Sequence, residues 1–200
     1  MYKLQKQDIP VAKNNLTIAF MNYPIHKYIF PDENIRRKHL PSFMKFSIKT
    51  GMIFGDAYAI SPDLKAIAVW IDPDHVIPNI IQTIRLGGLS VLLHIPLKDL
   101  LRSKKLWDHV ESLHKKYAPE KHWYLESLGV LPNCQGQGLG KKLMEYKFEE
   151  LDEMQIPCYL ETHDDTNVKI YEKLGFEVVY QTELLQTGLI HYSLVRYPEK

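Results

Sequence analysis

A mixed α/β sheet with helices on both faces is the fold class that this 200-residue chain predicts. Three observations carry that reading. Residues 57–60 and 66–71 are short apolar runs joined by Ser61-Pro62-Asp63, the pattern of a β-hairpin. Residues 122–130, 139–154 and 158–162 read as strand, helix and strand, a βαβ unit whose strands lie parallel with a right-handed crossover. Between the first of those strands and the helix stands Gln135-Gly136-Gln137-Gly138-Leu139-Gly140, with three glycines in five positions.

The remaining elements follow from periodicity and punctuation. Residues 9–21 read as a first helix and 33–49 as a second, whose Leu40, Phe43, Met44 and Ile48 form one apolar face. After the hairpin, 80–93 and 103–117 read as helices, with Gly87-Gly88 and Pro96 as interruptions. Residues 166–174 form a short helix ending at Gly175, a residue suited to a left-handed C-terminal cap. Strands at 176–181 and 189–196 complete the chain. No repeat or linker divides it, so residues 1–200 are expected to form one domain.

Composition removes several function classes. A net charge of +1 supplies no basic excess for neutralising phosphates, which argues against nucleic acid as the main partner. Residues 76–101 are apolar but broken by Gln82, Arg85, His94 and Pro96, too polar a stretch to span a membrane. Residues 1–10 alternate polar and charged side chains without the apolar core of a signal peptide. Cys134 and Cys158 are the only cysteines and form no metal-ligand pattern, which points to reduced thiols in a cytoplasm. His163-Asp164-Asp165 sits between strand and helix, where an aspartate cap explains it better than a metal does.

The glycine segment carries the chemistry. Its glycines let the backbone turn tightly and gather N–H groups around an anion, and the helix behind adds the partial positive charge of its N-terminus. The result is a cradle for a phosphorylated cofactor. A Walker A loop is excluded, because Gln135 stands where the first glycine belongs and Lys142 where Ser or Thr would hold magnesium. A dinucleotide fingerprint is excluded as well, because Lys141 replaces its third glycine.

The spelling that fits is Q-x-x-G-x-G. Through Leu128-Gly129-Val130-Leu131-Pro132, then Gln135 to Gly140, then Asn167-Val168-Lys169-Ile170-Tyr171-Glu172-Lys173-Leu174-Gly175-Phe176, the chain resembles the GCN5-related N-acetyltransferase superfamily. The resemblance covers residues 120–180 well and the first hundred loosely. Within the superfamily, His122-Trp123-Tyr124-Leu125 and Ala68-Val69-Trp70 resemble the branch containing puromycin N-acetyltransferase. It implies a single-domain fold with a mixed, mostly antiparallel sheet, in which strand 122–130 splays from its parallel partner. It also implies acetyl-CoA as acetyl donor. The backbone of Leu128, Gly129 and Val130 would hold the pantetheine arm. The N–H groups of Gln135, Gly136, Gln137, Gly138, Leu139, Gly140 and Lys141 would hold the pyrophosphate, with Asn167 and Tyr171 also reaching the cofactor. Residues 1–118 would shape the acceptor side and 119–200 the acetyl-CoA side.

Two residues follow for the chemistry. An amine attacking a thioester expels a thiolate, which must gain a proton. Tyr171 is the implied donor, and transfer from a phenol of pKa near 10 to a thiolate of pKa near 8.5 is uphill by only about 2 kcal/mol. Asn167 lies one helical turn earlier on the same face; the alternative for Tyr171 is aromatic packing. Deprotonating a lysine-like amine at pH 7 costs about 4.6 kcal/mol, so a positioned base helps. Glu126 is the candidate base, placed by period-2 alternation on the face of Tyr124 and Leu128, with Glu161 on the next strand in reserve. Backbone N–H groups near Val130 would stabilise the oxyanion.

The expected reaction is direct acetyl transfer to a primary amine of a small molecule. Polyamines, aminoglycoside-like or puromycin-like drugs and peptide N-termini are open as acceptors, and a homo-oligomer is compatible with the sequence. The alternatives are an acyltransferase for a longer acyl-CoA and a non-catalytic acyl-CoA-binding or regulatory module. A purely structural or peptide-binding protein would leave the glycine cradle without a purpose.

Overall fold

A computed structural model describes residues 1–75, 86 and 97–199. Its strands are β1 (Tyr2–Lys3), β2 (Gly55–Ala59), β3 (Ala66–Ile71), β4 (Trp123–Val130), β5 (Cys158–Thr162), β6 (Glu177–Glu183) and β7 (Ile190–Arg196). Its α-helices are α1 (Ile9–Phe20), α2 (Pro24–Ile29), α3 (Glu33–Phe54), α4 (Leu97–Tyr117), α5 (Leu139–Met154) and α6 (Asp165–Glu172). The seven strands form one sheet in the order β1-β2-β3-β4-β5-β7-β6, and β4 with β5 is its parallel pair. The helix expected at 80–93 lies outside the described residues.

The βαβ unit and the hairpin appear where the sequence places them. Helix α2 does not: the sequence reading left residues 24–29 without an element. Pro24 at its first turn is a start signal of the usual kind, because its fixed φ suits a helix and its missing N–H costs nothing there. Helix α3 runs past residue 49 to Phe54 and contains Pro41; Asp32 caps its start, accepting the Ile35 N–H at 2.9 Å. Asp164 does the same for α6, accepting from Thr166 N at 2.8 Å. Helix α6 ends in a Schellman closure, with Phe176 N–H to Tyr171 C=O, Gly175 N–H to Glu172 C=O and Gly175 at φ +86.

Alternation along β3 divides the core. Ala66, Ala68 and Trp70 face α5 and α6, where Leu143, Met144, Phe148, Leu151, Val168 and Tyr171 cover them. Ile67, Val69 and Ile71 face the opposite way, against Ala12 and Leu16 of α1 and Leu40, Met44 and Ile48 of α3. A third cluster joins Ile25 and Ile29 of α2 to Leu106 and Val110 of α4.

Polar anchors fix α5. Lys147 is fully buried beneath it, its Nζ donating to Asp56 Oδ2 at 2.9 Å and to Glu150 at 2.8 Å while lying 3.4 Å from the centre of the Trp123 ring. One turn and a half later, Asp152 takes both guanidinium nitrogens of Arg196 at 2.7 and 2.8 Å. These contacts tie the second half of α5 to β2, β4 and β7. The first half is held by apolar packing alone and carries the glycine loop.

Helix α1 crosses β4 closely at Gly129. A β-carbon there would stand 2.5 Å from Leu16 Cδ2 and 3.2 Å from the Phe20 ring, distances that need the helix to move. Gly129→Val is therefore expected to cost about 1–3 kcal/mol through overpacking. Chemical denaturation would read this as a lowered midpoint with an unchanged slope; an unchanged midpoint would refute the close approach.

Candidate active site

The site begins where two strands part. On one side β3 follows β4 along its whole length, from Ile71↔Tyr124 to Ala66↔Val130. On the other, β5 pairs only Cys158, Tyr159 and Leu160 with Trp123, Tyr124 and Leu125. Beyond that point the parallel strands fork. Leu131 N–H donates to Lys65 C=O, toward β3, so alternation turns the backbone groups of Leu128 and Val130 into the fork. Their side chains pack against the α5 cluster.

The loop after β4 turns on two left-handed glycines and ends at an uncapped helix. Pro132–Cys134 forms one 3-10 turn, and Gln135 folds its amide back to donate to Val130 C=O at 3.2 Å. Gly136 and Gly138 take φ of +75 and +74, and nothing lies within 4 Å of where a β-carbon would stand on either. Glycine is needed here for the backbone angle, not for space. Gly138 is the N-cap of α5, no side chain caps it, and no acidic residue occupies its first turn. The first N–H groups of α5 are thus left to solvent or a ligand, backed by the helix dipole. Lys141 is exposed and its Nζ lies 3.4 Å from Glu145, so its side chain points along the helix surface.

Tyr171 and Asn167 arrive from α6. Tyr171 is 9 % exposed, its ring edge-on to Phe176 at 5.7 Å, and no described group hydrogen-bonds its hydroxyl. Burial pushes this phenol well above its ordinary value. Asn167 Nδ2 donates to Thr162 Oγ1 at 3.4 Å, which ties α6 to the end of β5. Tyr23 reaches the same place from the N-terminus of α2: its hydroxyl accepts the His163 N–H and meets Thr162 Oγ1, each at 2.9 Å.

Glu126 requires a correction. The register against β3 shifts between Val69 and Trp70, so Ser127 faces Val69, Leu125 faces Trp70, and Glu126 is the extra residue of a β-bulge. Strict alternation would set Tyr124, Glu126 and Leu128 on one face. Instead Leu128 joins the α5 side, while Tyr124 packs toward α1 and α3 and Glu126 turns the same way to accept the Ser47 hydroxyl of α3. Burial raises the Glu126 carboxyl, with the Ser47 and Ser127 hydroxyls opposing. Glu161, directly past the last parallel pair on β5, also lies on that face. Its Oε1 accepts from Tyr159 at 3.0 Å and lies 3.4 Å from His114 Nδ1, and Tyr124 stands 3.5 Å from its Oε2. The two carboxylates are the first residues on either arm of the fork.

The sequence reading missed the histidines around them. His114 Nε2 meets His122 Nε2 at 3.0 Å, and His122 Nδ1 meets Pro119 C=O at 2.6 Å. On the other flank His163 Nε2, His191 and Ser193 lead to the Tyr159 hydroxyl. No local pattern links these positions, because they come from α4, β5 and β7 and meet only in the sheet.

Comparison with known proteins now has a geometry to match. Residues 102–176 match the Acetyltransferase (GNAT) family. An uncharacterised N-acetyltransferase of Schizosaccharomyces pombe is 25% identical over 193 residues, covering 92% of this chain and 76% of that one. These matches support membership of the GCN5-related N-acetyltransferase superfamily. Mycothiol acetyltransferase of Streptomyces scabiei is 35% identical over 74 residues, which is 36% of this chain and 24% of the relative. A Corynebacterium glutamicum crystal structure, described as histone acetyltransferase HPA2 and related acetyltransferase, superposes with a TM-score of 0.71 at 18% identity, over 99% of this chain and 95% of that one. As in the superfamily generally, a single-domain mixed sheet carries one parallel pair, and the chain is an acetyltransferase. Among the described residues no helix is long and apolar enough to cross a membrane.

The buried imidazoles have a consequence for stability. Burial lowers His26 to about 4, His122 to about 4 and His163 to about 3, from an ordinary 6.5. The unfolded chain therefore binds more protons than the folded one between pH 6.5 and 4, so stability falls as pH falls through that window. Urea midpoints measured from pH 7.5 to 4.5 should decline steadily below 6.5; a flat profile would show that these rings are not neutral in the fold.

Proposed function

We propose that this chain moves an acetyl group from acetyl-CoA to the primary amine of a small molecule, by direct attack of the amine on the thioester. The observation that carries the reading is the fork itself. On its α5 side it offers unpaired strand backbone and an uncapped helix N-terminus. On its opposite side it offers two carboxylates.

The superfamily generally uses acetyl-CoA as donor, and the residues fit it. The N–H groups from Gly136 to Lys141 would bind the pyrophosphate, and the backbone of Leu128 and Val130 would hold the pantetheine amides in place of the missing β5 neighbour; Gly129, expected from the sequence to share that role, turns its backbone to Ile67 of β3 instead. Asn167 would keep one amide edge toward the cofactor while its other bonds Thr162. An N–H turned into the fork at Val130 would stabilise the oxyanion of the tetrahedral intermediate. As the C–S bond breaks, Tyr171 gives its proton to the thiolate. Burial raises the Tyr171 phenol, which keeps it protonated until the thiolate forms. A carboxylate at the fork takes the proton of the incoming ammonium.

In this reading residues 119–200 form the acetyl-CoA side. Residues 1–118 shape the acceptor side. Two unpaired, buried cysteines suit the reducing cytoplasm, where acetyl-CoA is available.

Two substitutions separate binding from chemistry. Gly138→Glu forces a side chain onto a backbone of φ +74 and sets a negative charge at the helix N-terminus. Calorimetry should show acetyl-CoA affinity lowered at least about 30-fold, an expected loss of about 2 kcal/mol or more. Undiminished affinity would remove the cradle. Tyr171→Phe should keep that affinity and lower turnover about 100-fold, followed by thiol release with an amine panel. Unchanged turnover would remove the acid. Tight binding with no turnover of any amine would leave a non-catalytic acyl-CoA module.

A further inference from the structure

The proton taken from the amine needs somewhere to go, and the two carboxylates at the fork differ in what stands behind them. Behind Glu126 is the Ser47 hydroxyl, itself shared with Ser127 at 3.2 Å; neither hydroxyl stores a proton at neutral pH. Behind Glu161 is an imidazole.

The tautomers of that imidazole follow from its neighbours. A carbonyl oxygen only accepts, so His122 donates from Nδ1 to Pro119. Burial keeps His122 neutral, which leaves its Nε2 bare. His114 must then donate from Nε2 across the 3.0 Å contact. Its Nδ1, 3.4 Å from Glu161 Oε1, carries no hydrogen in the neutral ring. A bare nitrogen thus faces a carboxylate oxygen, and the contact becomes favourable when one proton lies between them.

The other flank is oriented the same way. His163 Nδ1 is buried without a partner, so His163 donates from Nε2 to His191 Nδ1 at 3.3 Å. His191 Nε2 then donates to Ser193 at 3.0 Å; Tyr159 has one hydroxyl hydrogen and a carboxylate only accepts, so Tyr159 donates to Glu161 at 3.0 Å and accepts from Ser193 at 2.9 Å. Every bond on this arm points toward Glu161. It stabilises the carboxylate but gives a proton no exit, whereas His114 Nδ1 does.

We propose that Glu161, backed by His114, is the base of this acetyltransferase and that Glu126 is not. The inference rests on the acetyl-transfer reading above. The ammonium N–H breaks as an O–H forms on Glu161, and the amine's freed electron pair attacks the thioester carbonyl. The proton is then held between Glu161 and His114 until solvent removes it. Glu161 is the catalytic residue; His114 and His122 are positioning residues that orient it and share its proton. The side chain of Glu161 is 5 % exposed while the residue as a whole is partly exposed, so its main chain opens into the fork with the carboxylate just behind. The other titratable groups facing the pair are Tyr23 before α2, Tyr124 of β4, Tyr159 of β5 and His191 of β7, with Glu126 beyond Tyr124 and His109 of α4 beyond His191.

The test uses the full chain with 2-phenylethylamine, spermidine and a free-N-terminus peptide as acceptors. Acetyl-CoA affinity and circular dichroism check each variant first. In the unaltered chain kcat/KM should rise with pH through one ionisation. Glu161→Gln should lower kcat/KM about 100-fold at pH 7 and abolish that ionisation. His114→Asn should lower it about 10-fold and move the ionisation to lower pH, because the proton loses one of its two holders. Glu126→Gln should keep the profile. A profile kept in Glu161→Gln, or abolished in Glu126→Gln, overturns the assignment. Nitrogen NMR of the histidine rings gives a readout that needs no acceptor. His114 should carry its ring hydrogen on Nε2 and leave Nδ1 bare, and a neutral ring with the hydrogen on Nδ1 also overturns the assignment. If that tautomer is seen while no amine is acetylated, the transfer reading fails and the base assignment falls with it, although the arrangement of the pair itself stands.

Discussion

The molecule is organised around a hydrogen-bond ladder that stops early. Strand β4 has a full partner in β3 and a partial one in β5, and everything specific to the site happens where the second partner leaves. An unpaired run of strand backbone inside a protein is costly, because each buried N–H and C=O left without a partner forfeits on the order of 1–3 kcal/mol. The fold meets that cost by leaving the run open to a ligand that can itself complete a ladder. In the proposed reaction the elements on the α5 face then bring an anion site and a proton donor to the rim.

Rigidity is distributed to suit that task. The buried lysine and the paired arginine hold the C-terminal half of α5, so its N-terminal turn is presented from a fixed base. Lys147 is retained in spite of the desolvation cost of a fully buried ammonium, because two carboxylates and the Trp123 face surround it. On the opposite face the histidines supply directional polar contacts among otherwise apolar neighbours. Their hydrogen bonds run in one sense on each flank, which narrows the arrangement of protons to a single pattern.

Much of this was legible in the sequence. Helix 139–154 and strand 158–162 appear with the predicted bounds, because glycine punctuation marks the start of one and β-branched or aromatic alternation marks the other. The Gly175 cap and the Asp164 cap are local chemistry and were readable as such. The phase of β4 was not. Alternation assumes two residues per repeat, and nothing around Leu125-Glu126-Ser127 announces that β3 skips one. In residues 1–75 two helices and a hairpin were legible, but α2 went unread because six residues give too little periodicity to find. The polar network was illegible for another reason: its members, from Tyr23 to Ser193, meet through tertiary packing and leave no trace in spacing.

The bulge at Glu126 has a further consequence for how this strand can change. An ordinary strand transmits a shift in register along its full length, so a residue inserted at one end exchanges inner and outer side chains at the other. Here the extra residue absorbs half a repeat between the paired segment, Trp123 to Leu125, and the forked segment, Ser127 to Val130. Both segments pair with β3 and the first also with β5, so the bulge carries the half-repeat between them. A change in how β5 meets the first segment therefore leaves the backbone of Leu128 and Val130 facing the fork. In the proposed reaction, one cofactor grip can in this way be kept beneath acceptor pockets of different shape.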